Sequence, residues 1–294
     1  MSYRLLALDL DGTTVDDGQL PTPRVRQAVA AATAAGVHVV VATGRPYVSA
    51  RRYGAALGLC TPLICFQGAL VKECGGAERI LFAEAVPEAP FAEVVALAQA
   101  RRLELNIYTE ETIYHGPTIH PAEFYDRWFG LATQPVADLG ETFAALRRMA
   151  RPVLKGLFIN EASASDALTA ELQARVGDRL TVMRSHPLFV EVTSPNVSKG
   201  NALAFLADWY GIPRAETIAV GDSGNDLSMI EWAGLGVAVA NATPEVRAAA
   251  DWIAPPVTEE GVVTVIETFI LNSQHATRNS QHATRNAQLA TRNA

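Results

Sequence analysis

The chain contains 294 residues, of which 49% are hydrophobic and 19% are charged, and its formal net charge is −7. This length allows two domains or one large domain with an insertion, and the composition is that of a globular protein with a sizeable core. The acidic excess disfavours nucleic-acid binding through a broad basic face, because such a face has to attract a phosphate backbone.

Three features of the sequence point to the cytoplasm. Asp9 and Asp11 interrupt the apolar segment that a signal peptide would need. The most apolar stretch, residues 28–42, contains three polar or flexible interruptions and is too short to span a bilayer. The three cysteines include no Cys-x-x-Cys pair, which favours buried thiols in a reducing compartment over a disulfide framework or a zinc site. We therefore expect a cytoplasmic protein without membrane association.

The first third of the chain alternates predicted strands and helices. Strands are predicted at residues 5–8, 37–41 and 63–66, and the helices between them at residues 22–35 and 48–57. Strands separated by helices of this length indicate a parallel sheet with crossover helices. The polar clusters follow the strands, at the carboxyl edge where open α/β sheets bind ligands.

The middle of the chain, from about residue 82 to residue 191, has a different pattern. It contains predicted helices at 91–100 and 164–176 and closely spaced strands at 105–108, 112–114, 153–159, 180–183 and 189–192. Adjacent strand pairs predict an antiparallel α+β module inserted into the first domain.

The α/β pattern resumes with a helix at 199–210, strands at 217–220 and 236–239, and a closing helix at 262–271. The predicted domains are therefore a core formed by residues 1–82 and 194–271 and an inserted domain at 83–193. Residues 272–294 repeat a seven-residue unit with almost no large apolar side chains, so this tail is expected to be disordered.

Two carboxylates follow the first predicted strand directly. Asp9 and Asp11 are two residues apart, and residues i and i+2 of an extended segment point to the same side. Like charges this close destabilise each other unless a cation lies between them or one is protonated. The pair therefore predicts a cation requirement where a buried strand ends.

Three further polar clusters accompany the aspartate pair. Thr43-Gly44 offers a hydroxyl and a flexible backbone suited to an anionic oxygen, and Ser198-Lys199-Gly200 begins a predicted helix. A surface lysine is disfavoured at a helix start, and the chain otherwise strongly prefers arginine. The fourth cluster is a glycine-bearing loop, residues 221–226, that supplies Asp222, Asn225 and Asp226.

These clusters together predict phosphoryl transfer. Four carboxylates at one sheet edge call for a cation, and all-oxygen ligation with room for waters indicates Mg²⁺. Lys199 neutralises a phosphate group, Thr43 and Asn225 hydrogen-bond its oxygens, and one aspartate attacks phosphorus. The partner aspartate protonates the leaving oxygen and later activates water.

In order and spacing, the four clusters resemble the four motifs of the haloacid dehalogenase superfamily. Asp9-Leu10-Asp11-Gly12-Thr13 matches the first motif, Thr43 the second, Lys199 the third, and residues 221–226 the fourth. The insertion resembles the type IIB cap of the Cof-like sugar-phosphate phosphatases. The resemblance implies a Rossmann-like core of parallel strands and crossover helices with an inserted α+β cap.

The resemblance also implies roles for individual residues. Asp9 would be the nucleophile and Asp11 the general acid/base, while Asp9, the Asp11 backbone carbonyl and Asp222 would hold Mg²⁺. The residues that would bind the substrate phosphate are Thr43, Gly44, Lys199 and Asn225, with Asp226 in a supporting role. The chain departs from the family where Asn-Gly-Ala is common, because it has Gln67-Gly68-Ala69. Gln67 is therefore a candidate for altered substrate choice.

The implied activity is Mg²⁺-dependent hydrolysis of a phosphomonoester of a small metabolite, such as a sugar phosphate, through an aspartyl-phosphate. A phosphomutase of the phosphomannomutase type has the same core and cap, and a non-catalytic sugar-phosphate sensor is a third interpretation. Most aromatic residues of the insertion are expected to belong to its core. Eleven of its aromatic and charged residues are candidates to face the pocket, and none is assigned a role: Tyr108, Glu110, Glu111, Tyr114, His115, His120, Tyr125, Trp128, Lys155, Arg184 and His186. We expect a monomer or a small homo-oligomer.

Overall fold

The computed structural model describes residues 3–16, 18–120, 124 and 132–272. Its residues form two compact units, the first comprising Met1–Val41, Ala56–Thr61 and Ala204–Ala294 and the second Ala42–Ala55 and Pro62–Leu203. The domain boundaries predicted from the sequence, near residues 82 and 194, stay a prediction. The predicted disordered tail lies outside the described residues from residue 273 onward.

The strands of the described residues, in chain order, are β1 (Leu5–Leu8), β2 (His38–Val41), β3 (Leu63–Cys65), β4 (Leu70–Lys72), β5 (Ile80–Ala83), β6 (Glu104–Tyr108), β7 (Thr112–His115), β8 (Ala132–Pro135), β9 (Lys155–Ile159), β10 (Thr181–His186), β11 (Phe189–Thr193), β12 (Thr217–Gly221), β13 (Leu235–Val239) and β14 (Trp252–Ala254). The α-helices are α1 (Pro23–Ala34), α2 (Tyr47–Ala56), α3 (Glu88–Arg101), α4 (Leu139–Arg148), α5 (Ala162–Val176), α6 (Lys199–Tyr210), α7 (Leu227–Trp232), α8 (Pro244–Ala249) and α9 (Gly261–Val265), which continues as a π-helix over Ile266–Leu271. None of the helices in this part of the chain is both long and apolar enough to cross a membrane.

The first unit contains a five-stranded parallel sheet with the order β14-β13-β12-β1-β2. The interior strand β1, between β12 and β2, is apolar along its whole length and completely buried, as expected for a strand covered on both faces. Helix α1 begins at Pro23, a residue that fits the first helical position, and the preceding Thr22 caps it because its side chain accepts a hydrogen bond from the Val25 amide. The predicted parallel sheet and crossover helices are confirmed.

One predicted member of this sheet is wrong. Residues 63–66 were expected to add a strand to the parallel sheet, but β3 lies in a separate antiparallel sheet, β3-β4-β5, in the second unit. Within the second unit, Ala42 forms an isolated parallel bridge with Ile64 of β3. The physical reason is the turn at Phe66–Gly68, which reverses the chain so that β3 pairs with the strand that follows it.

The second unit also contains a six-stranded sheet with the order β10-β11-β9-β6-β7-β8, antiparallel except for the β7–β8 pair. Helices α3, α4 and α5 supply Phe91, Phe143 and Leu172 to a hydrophobic core, which Leu105 and Phe158 enter from the sheet. The predicted inserted α+β module is therefore confirmed in its composition. The short elements β4, β5, β8, α4, α7, α8 and β14 were not predicted.

Candidate active site

Asp9 follows the buried strand β1 and is itself 5% exposed. Its amide donates to the Val220 carbonyl at 3.0 Å, so the backbone is still aligned with the neighbouring strand β12. The Asp9 carbonyl accepts from the Thr14 hydroxyl at 2.5 Å. Hydrogen bonds at both the amide and the carbonyl of Asp9 therefore hold the backbone that carries this side chain.

Asp222 reaches the same sheet edge from the end of β12. Its Oδ1 accepts from the hydroxyls of Thr13 at 3.2 Å and Ser223 at 3.3 Å. A Cβ atom on Gly12 would lie 2.6 Å from Asp222 Oδ2, and Gly12 has φ +83°. Glycine is required there because a side chain would collide with the carboxylate and strain the backbone.

Asp226 is fully buried and organises the loop that carries Asp222. Its Oδ2 accepts from the amides of Asp222 at 3.0 Å and Ser223 at 3.1 Å. Asn225 lies on the same short turn, Gly224–Asp226, which begins with a reciprocal capping interaction between Ser223 and Asp226. These contacts stabilise one conformation of the loop.

Asp9, Asp222 and Asp226 converge, with one carboxylate oxygen from each within 4.8 Å of the others. Three negative charges at this separation favour a bound cation. Asp9 and Asp222 follow the ends of β1 and β12 and offer only oxygen atoms as ligands, which suits a hard divalent cation. The Asp11 side chain is not part of this group of carboxylates. The ligand predicted from Asp11 for the metal is its backbone carbonyl oxygen.

Thr43 and Gly44 belong to the second unit and follow β2. The Thr43 amide donates to the Ile64 carbonyl at 2.9 Å, and the Thr43 carbonyl accepts from the Gln67 amide at 3.1 Å. Thr43 Oγ1 accepts from the Arg45 amide at 3.1 Å. A Cβ atom on Gly44 would lie 2.5 Å from Gln67 Nε2, so the buried Gln67 amide group lies directly against this turn.

Lys199 begins α6 and is completely buried. The residue before it, Ser198, caps the helix by accepting the Asn201 amide at 3.0 Å. A Cβ atom on Gly68 would lie 2.2 Å from the Ser198 carbonyl oxygen. The turn that contacts Thr43 and Gly44 therefore also contacts the start of the Lys199 helix.

This turn, Phe66–Gly68, has three consecutive positive φ values: 51°, 61° and 105°. Phe66 and Gln67 adopt the left-handed region at a cost of roughly 1–2 kcal/mol per residue. The sequence did not predict this turn, although the departure Gln67-Gly68-Ala69 made Gln67 a candidate for altered substrate choice. Nothing in the sequence marks Phe66.

The predicted site residues divide between the units. The first unit contains Asp9, Asp11, Asp222, Asn225 and Asp226, and the second contains Thr43, Gly44 and Lys199. The structure brings Asp9, Asp222 and Asp226 together, and within the second unit it connects the Thr43-Gly44 turn with the residue before Lys199 through Phe66–Gly68.

The sequence matches the family model of the haloacid dehalogenase-like hydrolases over residues 6–266. The Bacillus subtilis (strain 168) protein YxeH is 33% identical over 276 residues, which cover 92% of this chain and 99% of YxeH. The 5-amino-6-(5-phospho-D-ribitylamino)uracil phosphatase YitU of the same organism is 27% identical, with 90% of this chain and 97% of YitU covered.

Solved structures show the same fold. A haloacid dehalogenase-like hydrolase from Bacteroides thetaiotaomicron matches with a TM-score of 0.79 at 27% identity, covering 90% of this chain and 99% of that one. The subclass IIB sugar phosphatase BT4131 matches in fold, with a TM-score of 0.73 at 23% identity and coverage of 90% and 98%. The chain belongs to the haloacid dehalogenase-like hydrolases and is a Cof-like phosphatase of that family.

Proposed function

We propose that the protein is a Mg²⁺-dependent phosphatase that hydrolyses a phosphomonoester of a small metabolite, such as a sugar phosphate, through an aspartyl-phosphate on Asp9. The observation that carries this proposal is the convergence of Asp9, Asp222 and Asp226 at the ends of the neighbouring parallel strands β1 and β12. Repulsion among three carboxylates held this close together destabilises the fold in the absence of a cation, which supports a catalytic metal site here.

Asp9, Asp222 and the backbone oxygen of Asp11 would hold the metal, and Asp226 would keep the Asp222 loop in place through its two amide bonds. Bound Mg²⁺ supplies positive charge that offsets the carboxylates and the negative charge developing on the phosphoryl oxygens. The oxygen-only donor set supports this ion over a soft metal.

The chemistry of the residues then follows from their positions in the motifs. An Asp9 carboxylate oxygen attacks phosphorus and forms the aspartyl-phosphate, while the bond to the leaving oxygen breaks. Asp11 donates a proton to that oxygen and later takes one from the water that hydrolyses the intermediate. The phosphoryl oxygens would be bound by Thr43, Gly44, Lys199 and Asn225, as the motif resemblance implies.

The substrate is proposed to be a small phosphorylated metabolite. The name of YitU specifies a phosphorylated small molecule, and the similar solved structure BT4131 is that of a sugar phosphatase. Both support this class of substrate without selecting one compound. Cys60, Cys65 and Cys74 are free thiols, which supports a reducing compartment such as the cytoplasm. We propose no nucleic-acid or membrane partner, and a monomer or small homo-oligomer.

The test is phosphate release from p-nitrophenyl phosphate by purified Asp9→Asn protein, with Asp16→Asn as a matched control at an exposed position in the same segment. We expect Asp9→Asn and chelation each to abolish turnover and Asp16→Asn to leave it unchanged. Activity that survives in Asp9→Asn would refute the nucleophile. A phosphomutase would transfer the phosphoryl group between sugar positions without stoichiometric free phosphate, and a sensor would bind without turnover.

A further inference from the structure

Two connecting segments of the second unit meet at Glu84. The first, residues 84–87, leaves the three-stranded sheet after β5 and leads to α3. The second, residues 194–198, leaves the six-stranded sheet after β11 and leads to α6. Lys199 is the first residue of α6, so the second segment determines where the lysine that is predicted to bind phosphate begins.

The backbone of Glu84 is held beside the turn at Phe66–Gly68. Its amide donates to the carbonyl of Ala69, the residue after that turn, at 2.8 Å. This bond continues the antiparallel pairing of β4 and β5, in which Ala83 lies opposite Leu70. Glu84 is therefore fixed next to the turn that contacts the second motif.

The carboxylate of Glu84 holds the second segment. Its Oε1 accepts from the Ser194 hydroxyl at 2.8 Å and from the Asn196 side-chain amide at 3.4 Å. Ser194 is 1% exposed, and a hydroxyl buried to this extent almost always has a hydrogen-bond partner in folded proteins. A carboxylate acceptor also makes a shorter and stronger hydrogen bond than a neutral acceptor does. One side chain, 110 positions away in the sequence, therefore fixes the start of this segment.

Hydrogen bonds within the second segment lead from Ser194 to α6. The Ser194 carbonyl accepts from the Val197 amide at 3.1 Å, and the Asn196 carbonyl accepts from the Asn201 side-chain amide at 2.8 Å. Asn201 lies in the first turn of α6, two residues after Lys199. A displacement of Ser194 would therefore also displace the helix start that carries Lys199.

We propose that Glu84 is a positioning residue for phosphate binding, which acts through Ser194 and Asn196 on the start of α6. This inference rests on the proposed function, in which Lys199 binds the substrate phosphate. A lysine side chain is flexible, so the position of its ammonium group depends on where its backbone is held. The bonds of Glu84 connect that backbone to the residue after the Phe66–Gly68 turn, so the second and third motifs keep one separation within the unit. A displacement of about 1 Å in such an arrangement can lower a rate about 100-fold.

The test measures binding of inorganic phosphate to Glu84→Ala protein by isothermal titration calorimetry in the presence of Mg²⁺. We expect the dissociation constant to rise about tenfold, and kcat/KM for p-nitrophenyl phosphate to fall to a similar extent, as for the loss of one hydrogen bond to a charged group. Glu73→Ala is the matched control, because Glu73 is also half-buried and its carboxylate accepts from Arg79 at 2.8 Å, at the turn end of the β4–β5 hairpin. Both quantities should stay within about twofold of the wild-type values in this control.

Two further variants separate positioning from stability. Glu84→Gln keeps an oxygen that accepts from Ser194, so we expect it to restore phosphate affinity to within about threefold of the wild-type value. Glu84→Ala leaves the buried Ser194 hydroxyl without this acceptor, which should lower the melting temperature. Glu84→Ala/Ser194→Ala removes that hydroxyl, so its melting temperature should exceed that of Glu84→Ala while its affinity for phosphate stays low.

The outcomes separate this inference from the proposed function. Unchanged phosphate affinity in Glu84→Ala, or equal losses in Glu84→Ala and Glu73→Ala, would overturn the role of Glu84 and leave the phosphatase assignment intact. Failure of Glu84→Gln to restore affinity, or recovery of affinity together with melting temperature in the double variant, would do the same. If the wild-type protein bound inorganic phosphate in a Glu84-dependent manner but released none from any substrate, the positioning role would stand and the proposed function would fall. A wild-type protein with neither phosphate binding nor phosphate release would overturn both.

Discussion

Replacing Gly68 by alanine tests the turn that connects the second and third motifs. Gly68 has φ +105°, and a Cβ atom there would lie 2.2 Å from the Ser198 carbonyl oxygen and 2.7 Å from its carbonyl carbon. Both neighbours are backbone atoms, so a rotamer change cannot relieve the collision. Either the turn or the start of α6 has to move, and Lys199 is the first residue of that helix.

Two energetic terms add in this variant. An alanine at positive φ costs about 1 kcal/mol or more relative to glycine, and forcing an extra carbon into a filled site costs typically about 1–3 kcal/mol. We expect Gly68→Ala to lower the free energy of unfolding by about 2–4 kcal/mol. For a chain of this size each kcal/mol lowers the melting temperature by roughly 2–4 °C.

Gly75→Ala is the matched control, because Gly75 also has a positive φ, +92°, but a Cβ atom there would meet nothing within 4 Å. The difference between the two variants in urea unfolding isolates the collision with Ser198. Inhibition by inorganic phosphate provides the second measurement, and we expect Gly68→Ala to weaken it at least tenfold and Gly75→Ala to leave it unchanged. Equal destabilisation by both variants, or unaltered phosphate inhibition in Gly68→Ala, would refute the reasoning.

Three further predictions concern single side chains. Gln67→Asn should keep or raise the melting temperature, because asparagine tolerates φ near +61° better than glutamine does. It should also weaken inhibition by phosphate, because the shorter side chain places the amide group farther from Gly44, and a lower melting temperature with normal inhibition would contradict both expectations. Asp222→Asn should raise the melting temperature of the metal-free protein, because it relieves charge repulsion, and should reduce the further increase that Mg²⁺ produces. Calorimetry with and without Mg²⁺ measures both effects, and an unchanged increase with Mg²⁺ would contradict the prediction. Burial, and to a smaller extent the Arg4 charge, holds the pKa of His38 below its ordinary value of 6.5. The unfolded chain therefore binds a proton at this histidine at a higher pH than the folded protein does, and the free energy of unfolding should fall as pH drops below about 6.5. The same pH-dependent loss in urea unfolding of a His38→Asn variant would exclude His38 as its source.

The parts of the fold that follow from local pattern could be predicted from the sequence. The β1 run is apolar at every position, and the two aspartates and the glycine after it mark its end. The order of strands and helices then places Asp9 and Asp222 at one sheet edge, where the structure has them within reach of a common cation. The predicted roles of these residues and of Thr43, Gly44, Lys199 and Asn225 stay predictions.

The remaining features depend on which strands pair. The sheet that receives β3 is decided by a left-handed turn at Phe66 and Gln67, two residue types that rarely adopt it, so local pattern favoured the wrong sheet. An ion pair between Lys155 and Glu191 requires the β9–β11 register, which an isolated sequence does not specify. The predicted disordered tail, from residue 273, lies outside the described residues.

The central claim is that Asp9 carries the phosphoryl group during turnover, and trapping that intermediate tests it most directly. Asp11→Asn should slow the water attack that releases phosphate, so the protein should be quenched in acid after mixing with Mg²⁺ and substrate and its peptides analysed by mass spectrometry. We predict one added phosphoryl group on the peptide that contains Asp9 and its absence in Asp9→Asn/Asp11→Asn. A phosphoryl group on another residue, or continued turnover in the double variant, would contradict the mechanism.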